Sequence, residues 1–162
     1  MRRGSAALLA ATGFLLASCA TSPSAPEVTF YAAGKSVRVG PAQYCDAELN
    51  DCTVSARSLA VLRVPPGRPL QISVPGSVAE APWQVVFRYR LPNGERVDAR
   101  SSVFRPGEQY AYTLRLPDDG AQLETAEVHQ FAAVLLESEN GAFEVPVRAT
   151  WVLSVDDLPV EQ

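Results

Sequence analysis

Trp83-Gln84-Val85-Val86-Phe87-Arg88-Tyr89-Arg90-Leu91, followed by Pro92-Asn93-Gly94, decides how the rest of the chain is read. Side chains of a strand alternate between two faces. Trp83, Val85, Phe87, Tyr89 and Leu91 therefore share one face, while Gln84, Arg88 and Arg90 share the other, with Val86 the exception. Aromatic residues on the apolar period belong to a core rather than to a ligand cage. The turn fixes the register. A two-residue Asn93-Gly94 loop would set Tyr89 opposite Asp98 and Phe87 opposite Arg100, placing charge on the apolar face. A three-residue Pro92-Asn93-Gly94 loop instead pairs Tyr89 with Val97, Phe87 with Ala99 and Arg88 with Asp98, with glycine at the left-handed position.

Outward from this hairpin the chain is punctuated by turn signals at Gly34, Pro65-Pro66-Gly67, Pro75-Gly76, Pro106-Gly107, Asp118-Asp119-Gly120 and Asn140-Gly141. Between them lie short β-rich runs without sustained helical periodicity. The spacing predicts strands near 28–31, 36–39, 60–64, 70–74, 83–91, 95–103, 110–116, 125–137 and 142–155, with Tyr110, Tyr112, Leu114 and Leu116 facing one way. Many short, evenly spaced strands predict an all-β domain, an immunoglobulin- or fibronectin-like antiparallel β-sandwich.

The last two runs form a long hairpin. A two-residue Asn140-Gly141 turn pairs Leu136 with Val145, Val134 with Val147, Ala132 with Ala149, Gln130 with Trp151 and Val128 with Leu153, a consistently apolar core face. The opposite face pairs Leu135 with Pro146, Ala133 with Arg148, Phe131 with Thr150 and His129 with Val152. It leaves Phe131, Leu135 and Val152 as more apolar surface than a solvated strand face needs, and these three are the candidate interaction surface.

The start of the chain has a different character. Met1-Arg2-Arg3 precedes a mostly apolar run from Ala6 to Leu16, and Leu16-Ala17-Ser18-Cys19 closes it. A short charged-then-apolar leader is the form of an export signal, and Leu-Ala-Ser directly before cysteine is the pattern at which lipid is attached. A membrane-spanning helix needs about 20 apolar residues, more than this run contains. The expected organisation is a lipoprotein signal peptide at 1–18, the lipidated Cys19 with a linker through Pro26 at 19–26, and a β-sandwich domain at 27–162. Two acyl chains on Cys19 would anchor stably. Ala20 to Pro26 spans at most about 25 Å when extended, which keeps the domain close to the membrane.

With Cys19 assigned to lipid, Cys45 and Cys52 remain, and an even remainder in an exported chain predicts one disulfide. A redox pair would be expected as C-x-x-C beside a βαβ pattern, which is absent. The acids of the enclosed loop, Asp46, Glu48 and Asp51, lack the register and glycine turn of a calcium loop and read as solvated charge. Loss of 1–18 removes Arg2 and Arg3, leaving 12 basic against 18 acidic residues, a formal charge of −6. That balance disfavours nucleic acid as a partner.

These features together resemble a family of actinobacterial lipoproteins whose domain has no assigned function. The resemblance covers essentially the whole chain and rests on the lipobox, Val28-Thr29-Phe30-Tyr31, the loop from Tyr44-Cys45 to Cys52, Val64-Pro65-Pro66-Gly67, Pro82-Trp83-Gln84-Val85-Val86-Phe87, and Ala149-Thr150-Trp151-Val152-Leu153-Ser154-Val155. It implies an exported, lipid-anchored protein of mycolic-acid-type bacteria or their relatives, and it transfers no catalytic residues.

For chemistry the sequence offers little. His129 is the one histidine, so a histidine metal cluster is excluded and any Ser-His-Asp triad would depend on it alone. Nucleophile-elbow, phosphate-loop and H-E-x-x-H motifs are absent. No cofactor and no metal are expected, and the chain reads as a non-enzyme. The leading expectation is a non-catalytic binding or scaffold module at the extracytoplasmic face of the cell membrane, held by lipid on Cys19 and acting on another envelope protein or a cell-wall component. The alternative is a carrier or chaperone for a small or lipidic envelope ligand, which would need an apolar cavity between the sheets. The inward positions are mostly bulky, which favours a solid core.

Overall fold

Residues 25–134, 136–137 and 143–156 are described by the structure, a computed structural model. The leader 1–18, Cys19, the linker up to residue 24, Leu135 and the Asn140-Gly141 turn lie outside these residues. Within them the strands run in the order β1 (Val28–Ala32), β2 (Lys35–Val39), β3 (Gln43–Cys45), β4 (Cys52–Val54), β5 (Leu59–Arg63) and β6 (Leu70–Ser73). A single-turn helix α1 (Gly76–Ala79) follows, then β7 (Trp83–Arg90), β8 (Arg96–Arg100), β9 (Ala111–Leu114), β10 (Gln122–Phe131), β11 (Leu136–Glu137), β12 (Phe143–Glu144) and β13 (Val147–Asp156).

Two sheets carry the domain, as the sequence predicts. The small one has the order β2-β1-β6-β9, and the large one β4-β3-β13-β10-β7-β8. The free side of β13 is shared: β3 lies antiparallel beside its first half and β5 parallel beside its second. All other pairs in the two sheets are antiparallel.

The β7–β8 hairpin has the predicted register, with Tyr89 opposite Val97, Arg88 opposite Asp98 and Phe87 opposite Ala99. Leu91 N donates to Glu95 O and Gly94 N to Leu91 O, closing the three-residue loop with Gly94 at φ +88°. That backbone conformation is steep for any residue with a Cβ. Trp83, Val85, Phe87 and Tyr89 are buried as the alternation requires. They meet Phe30, Leu70, Ile72 and Leu114 of the small sheet and Ala126, Val128, Trp151 and Leu153 of the large one in a single core cluster. Burial of so many large side chains from both sheets fills the interior with packed carbon, the arrangement that stabilises a sandwich.

Several expectations are corrected. Up to Gln130 the β10–β13 pairing is shifted by two residues, with Val128 opposite Trp151 rather than Leu153, Gln130 opposite Ala149 and His129 opposite Thr150, and past the bulge Phe131 opposes Val147, three residues from the expected Thr150. A bulge between Gln130 and Phe131 separates this ladder from β11–β12, where Leu136 faces Glu144 instead of Val145. Because the shift up to Gln130 is an even number, the face assignments survive there while the partners change. The run expected at 125–137 starts earlier, at Gln122, since a second bulge at Glu124 lets Leu123 and Ala126 both point inward.

Tyr110 is 52% exposed rather than in the core, because β9 starts at Ala111 and Tyr110 uses only its carbonyl, accepting from Val74 N. The segment around the cysteines is not a bare loop. It is the β3–β4 hairpin, whose three-residue strands are too short to show a period in the sequence.

Candidate functional site

Cys45 and Cys52 are joined as expected, as a directly opposed pair of β3 and β4 with a Cα–Cα distance of 4.0 Å. The bridge fastens the outer edge of the large sheet. Asp46 caps the enclosed turn, its carboxylate accepting from Asn50 N at 2.8 Å.

Three buried polar contacts hold one end of the sandwich. Trp83 Nε1 donates to Gln109 O at 3.1 Å, and Trp151 Nε1 donates to Pro26 O at 2.8 Å. Gln130, almost fully buried, donates through Nε2 to Ser77 O and Val78 O at 2.9 and 3.0 Å. Buried polar atoms need partners, and here each partner is a backbone carbonyl of a connecting segment. Pro26, α1 and the 104–110 connection are thereby clamped to the central strands. Indole and amide groups in an apolar run are legible in the sequence, but their partners are not.

The outer face of the large sheet is built in rows. Leu59, Val152, Glu127, Val86 and Arg100 stand side by side on β5, β13, β10, β7 and β8. The next row holds Val61, Ser154, Thr125, Arg88 and Asp98, and on the other side lie Thr150, His129 and Gln84. Of the candidate surface, Val152 is half-buried in the first row between Leu59 and Glu127, and Phe131 is half-buried beyond His129. Leu135 lies outside the described residues. The structure adds Leu59 and Val61, 48% and 59% exposed, which the sequence reading missed. Leu59-Ala60-Val61-Leu62 is apolar at every position, a pattern expected of strands covered on both faces. At this sheet edge Ala60 and Leu62 are buried while their neighbours are left open.

Charged pairs lie on the β10, β7 and β8 side of the apolar strip. Arg88 grips Asp98 with two hydrogen bonds of 2.7 and 3.0 Å, and Arg96 reaches Glu124 at 3.0 Å. His129 Nε2 lies 2.8 Å from Glu127 Oε2. This bond holds the Glu127 carboxyl below the usual carboxylate range; partial burial opposes it, and the charges of His129 and Arg88 add smaller lowering effects. His129 is thus a strand residue paired along its own strand, with Thr150 and Gln84 as its cross-strand neighbours. Among the described residues no three His, Cys, Asp or Glu side chains gather where they would hold a metal ion, and no helix is long and apolar enough to cross a membrane.

Comparison with known proteins places the chain among proteins without an assigned function. Residues 21–156 match DUF2771, a family described as protein of unknown function. Uncharacterized proteins of Mycobacterium tuberculosis and Mycobacterium bovis are 31% identical to this chain over 130 residues, which is 80% of this chain and 76% of each relative. No solved structure matches. The chain belongs to the DUF2771 family.

Proposed function

We propose that this DUF2771 protein is a non-catalytic binding module, lipid-anchored through Cys19 at the extracytoplasmic face of the cell membrane, which docks another envelope protein on the outer face of its large sheet. The observation that carries the docking surface is the open apolar edge formed by Leu59 and Val61 beside Val152, within a face otherwise solvated by ion pairs. Association through such a strip gains the hydrophobic term at its centre while the charged rim sets orientation. Phe131 extends the same proposed surface, and Leu135 is proposed with it from the strand alternation of the sequence alone.

The disulfide supports an exported location, since such bonds persist in oxidising compartments. The anchor reading also orients the domain. Pro26 is fastened by Trp151 at the end that carries α1 and Tyr110, and Cys19 lies only seven residues before it. With a tether of at most about 25 Å, that end faces the bilayer and the Ala33-Gly34 and Pro92–Gly94 turns face away.

Two measurements test the proposal. Cys19→Ala should move the protein, with its leader removed, out of the membrane fraction; persistence there overturns the anchor. A photo-crosslinking residue at Val61 should give a discrete protein adduct in intact cells that is lost when Leu59 and Val152 are changed to serine. An adduct indifferent to those changes, or none, overturns the docking surface.

A further inference from the structure

The outer face of the small sheet is chemically unlike that of the large one. Its registered rows are Ser36, Tyr31, Gln71 and Thr113, then Arg38, Thr29, Ser73 and Ala111. Of these eight positions one is charged, Arg38 at the β2 edge, and its guanidinium lies 4.0 Å from Glu27. The outer face of the large sheet, by contrast, carries the ion pairs Arg88–Asp98 and Arg96–Glu124.

Neutral donors and acceptors here surround an aromatic ring that is 42% exposed, Tyr31. Among the described residues none of Ser36, Thr29, Gln71, Ser73 or Thr113 hydrogen-bonds through its side chain, so with respect to those residues their hydroxyl and amide groups are open.

The surface is also grooved. One depression of about 320 Å³ runs between Thr29, Ser73 and Thr113 over Ile72, and a second of about 320 Å³ continues past Ala33 and Pro69 to Arg68. Both are bounded by Tyr31 and Gln71, so they form one trough with the tyrosine at its waist. From Ser73 to Pro69 it extends about 13 Å along the strand direction. A shallow, elongated trough, neutral along its length with Arg68 as the one charged lining residue at its far end, suits an extended neutral polymer rather than a compact ion or an apolar chain.

We propose that this trough binds a neutral polysaccharide. The ring of Tyr31 packs against the C–H face of a sugar, where polarised C–H groups meet the negative face of the aromatic system. Gln71, Ser73 and Thr113 pair with the sugar hydroxyls on one side, and Thr29 and Ser36 on the other. The site deepens the proposed function by naming a cell-wall component alongside the protein partner, and it rests on the extracytoplasmic location of that reading. Sugar binding itself requires neither the anchor nor the Leu59–Val61 strip.

The test is co-sedimentation of the purified full-length protein with insoluble neutral polysaccharides, namely a β-glucan, a mannan and a galactan, with polygalacturonate as the anionic control. Retention on at least one neutral polymer is expected, insensitive to salt. It should fall at least tenfold with Tyr31→Ala or Gln71→Ala, and persist with Tyr31→Phe and with Val61→Ser on the opposite face. Circular dichroism of each variant should match the parent, because every altered side chain is exposed. Retention on none of the neutral polymers overturns the proposal, as does retention unaffected by Tyr31→Ala, or retention on polygalacturonate alone. Membrane association that persists in Cys19→Ala while polymer binding is present fails the anchor alone, whereas release of Cys19→Ala from the membrane with no polymer binding by the parent fails the sugar site alone.

Discussion

The indole nitrogen of Trp151, at the centre of β13, one of the two longest strands, donates to the carbonyl oxygen of Pro26, the second of the described residues, at 2.8 Å. A fully buried aromatic ring thereby ties the start of the domain to its middle. Trp151→Phe removes the donor, leaves the Pro26 carbonyl to find another partner and opens space in a closed core. The expected loss is about 2 to 3 kcal/mol, read by urea denaturation, together with faster proteolytic cleavage around residues 24–28. A variant as resistant as the parent would show that the contact holds nothing in place.

Reduction of Cys45–Cys52 should destabilise the domain by about 2.5 kcal/mol or less, the chain-entropy value for so short a loop. The bridge sits in the β3–β4 hairpin at the edge of the large sheet, so the loss should appear first as faster amide exchange in 43–54. Uniform acceleration across β7 and β10 would contradict an edge role.

Glu127 gives a signed pH dependence. Its folded-state carboxyl is held below its ordinary value of 4.5 by the His129 hydrogen bond. A lowered carboxylate contributes stability that is present above the unfolded value and lost as pH falls through the folded one. The stability difference between the parent and Glu127→Gln should therefore persist at pH 6 and shrink progressively below about pH 4.5. Because Glu127 is partly exposed, the effect is screened and small. A difference that grows on acidification would assign the pair the opposite sign.

The β1–β2 connection offers a stabilising change. Ala33 and Gly34 both have positive φ, 47° and 81°, as a tight two-residue hairpin turn requires. Alanine is strained there, whereas asparagine tolerates the left-handed region. Ala33→Asn should raise stability by about 0.5 to 1 kcal/mol in denaturant titration. A loss would mean that the turn relaxes in another way.

The candidate site was only partly legible. Val152 and Phe131 were found because they sit on the polar period of long, strongly alternating strands. Leu59 and Val61 were missed because a wholly apolar run does not announce which of its faces stays open. The free hydroxyls and amide around Tyr31 come from four strands whose sequence neighbours are unrelated, so only their pairing gathers them.

What the sequence determined by itself was local. Alternation in Trp83–Leu91 assigned faces, and Pro92-Asn93-Gly94 set the register of one hairpin, because both depend on backbone geometry over a few residues. Cysteine number predicted the bridge between neighbouring strands. Tertiary structure decided what depends on partners far along the chain: the parallel seat of β5 beside β13, the carbonyls that receive Trp83, Trp151 and Gln130, and the two-residue shift of β10 against β13. The bulge at Gln130–Phe131 adds one residue of offset within that ladder, and the bulge at Glu124 does the same between β10 and β7. They arise where inward packing on both sides of the bend outweighs one continuous ladder, a balance among distant side chains that no local run of residues expresses.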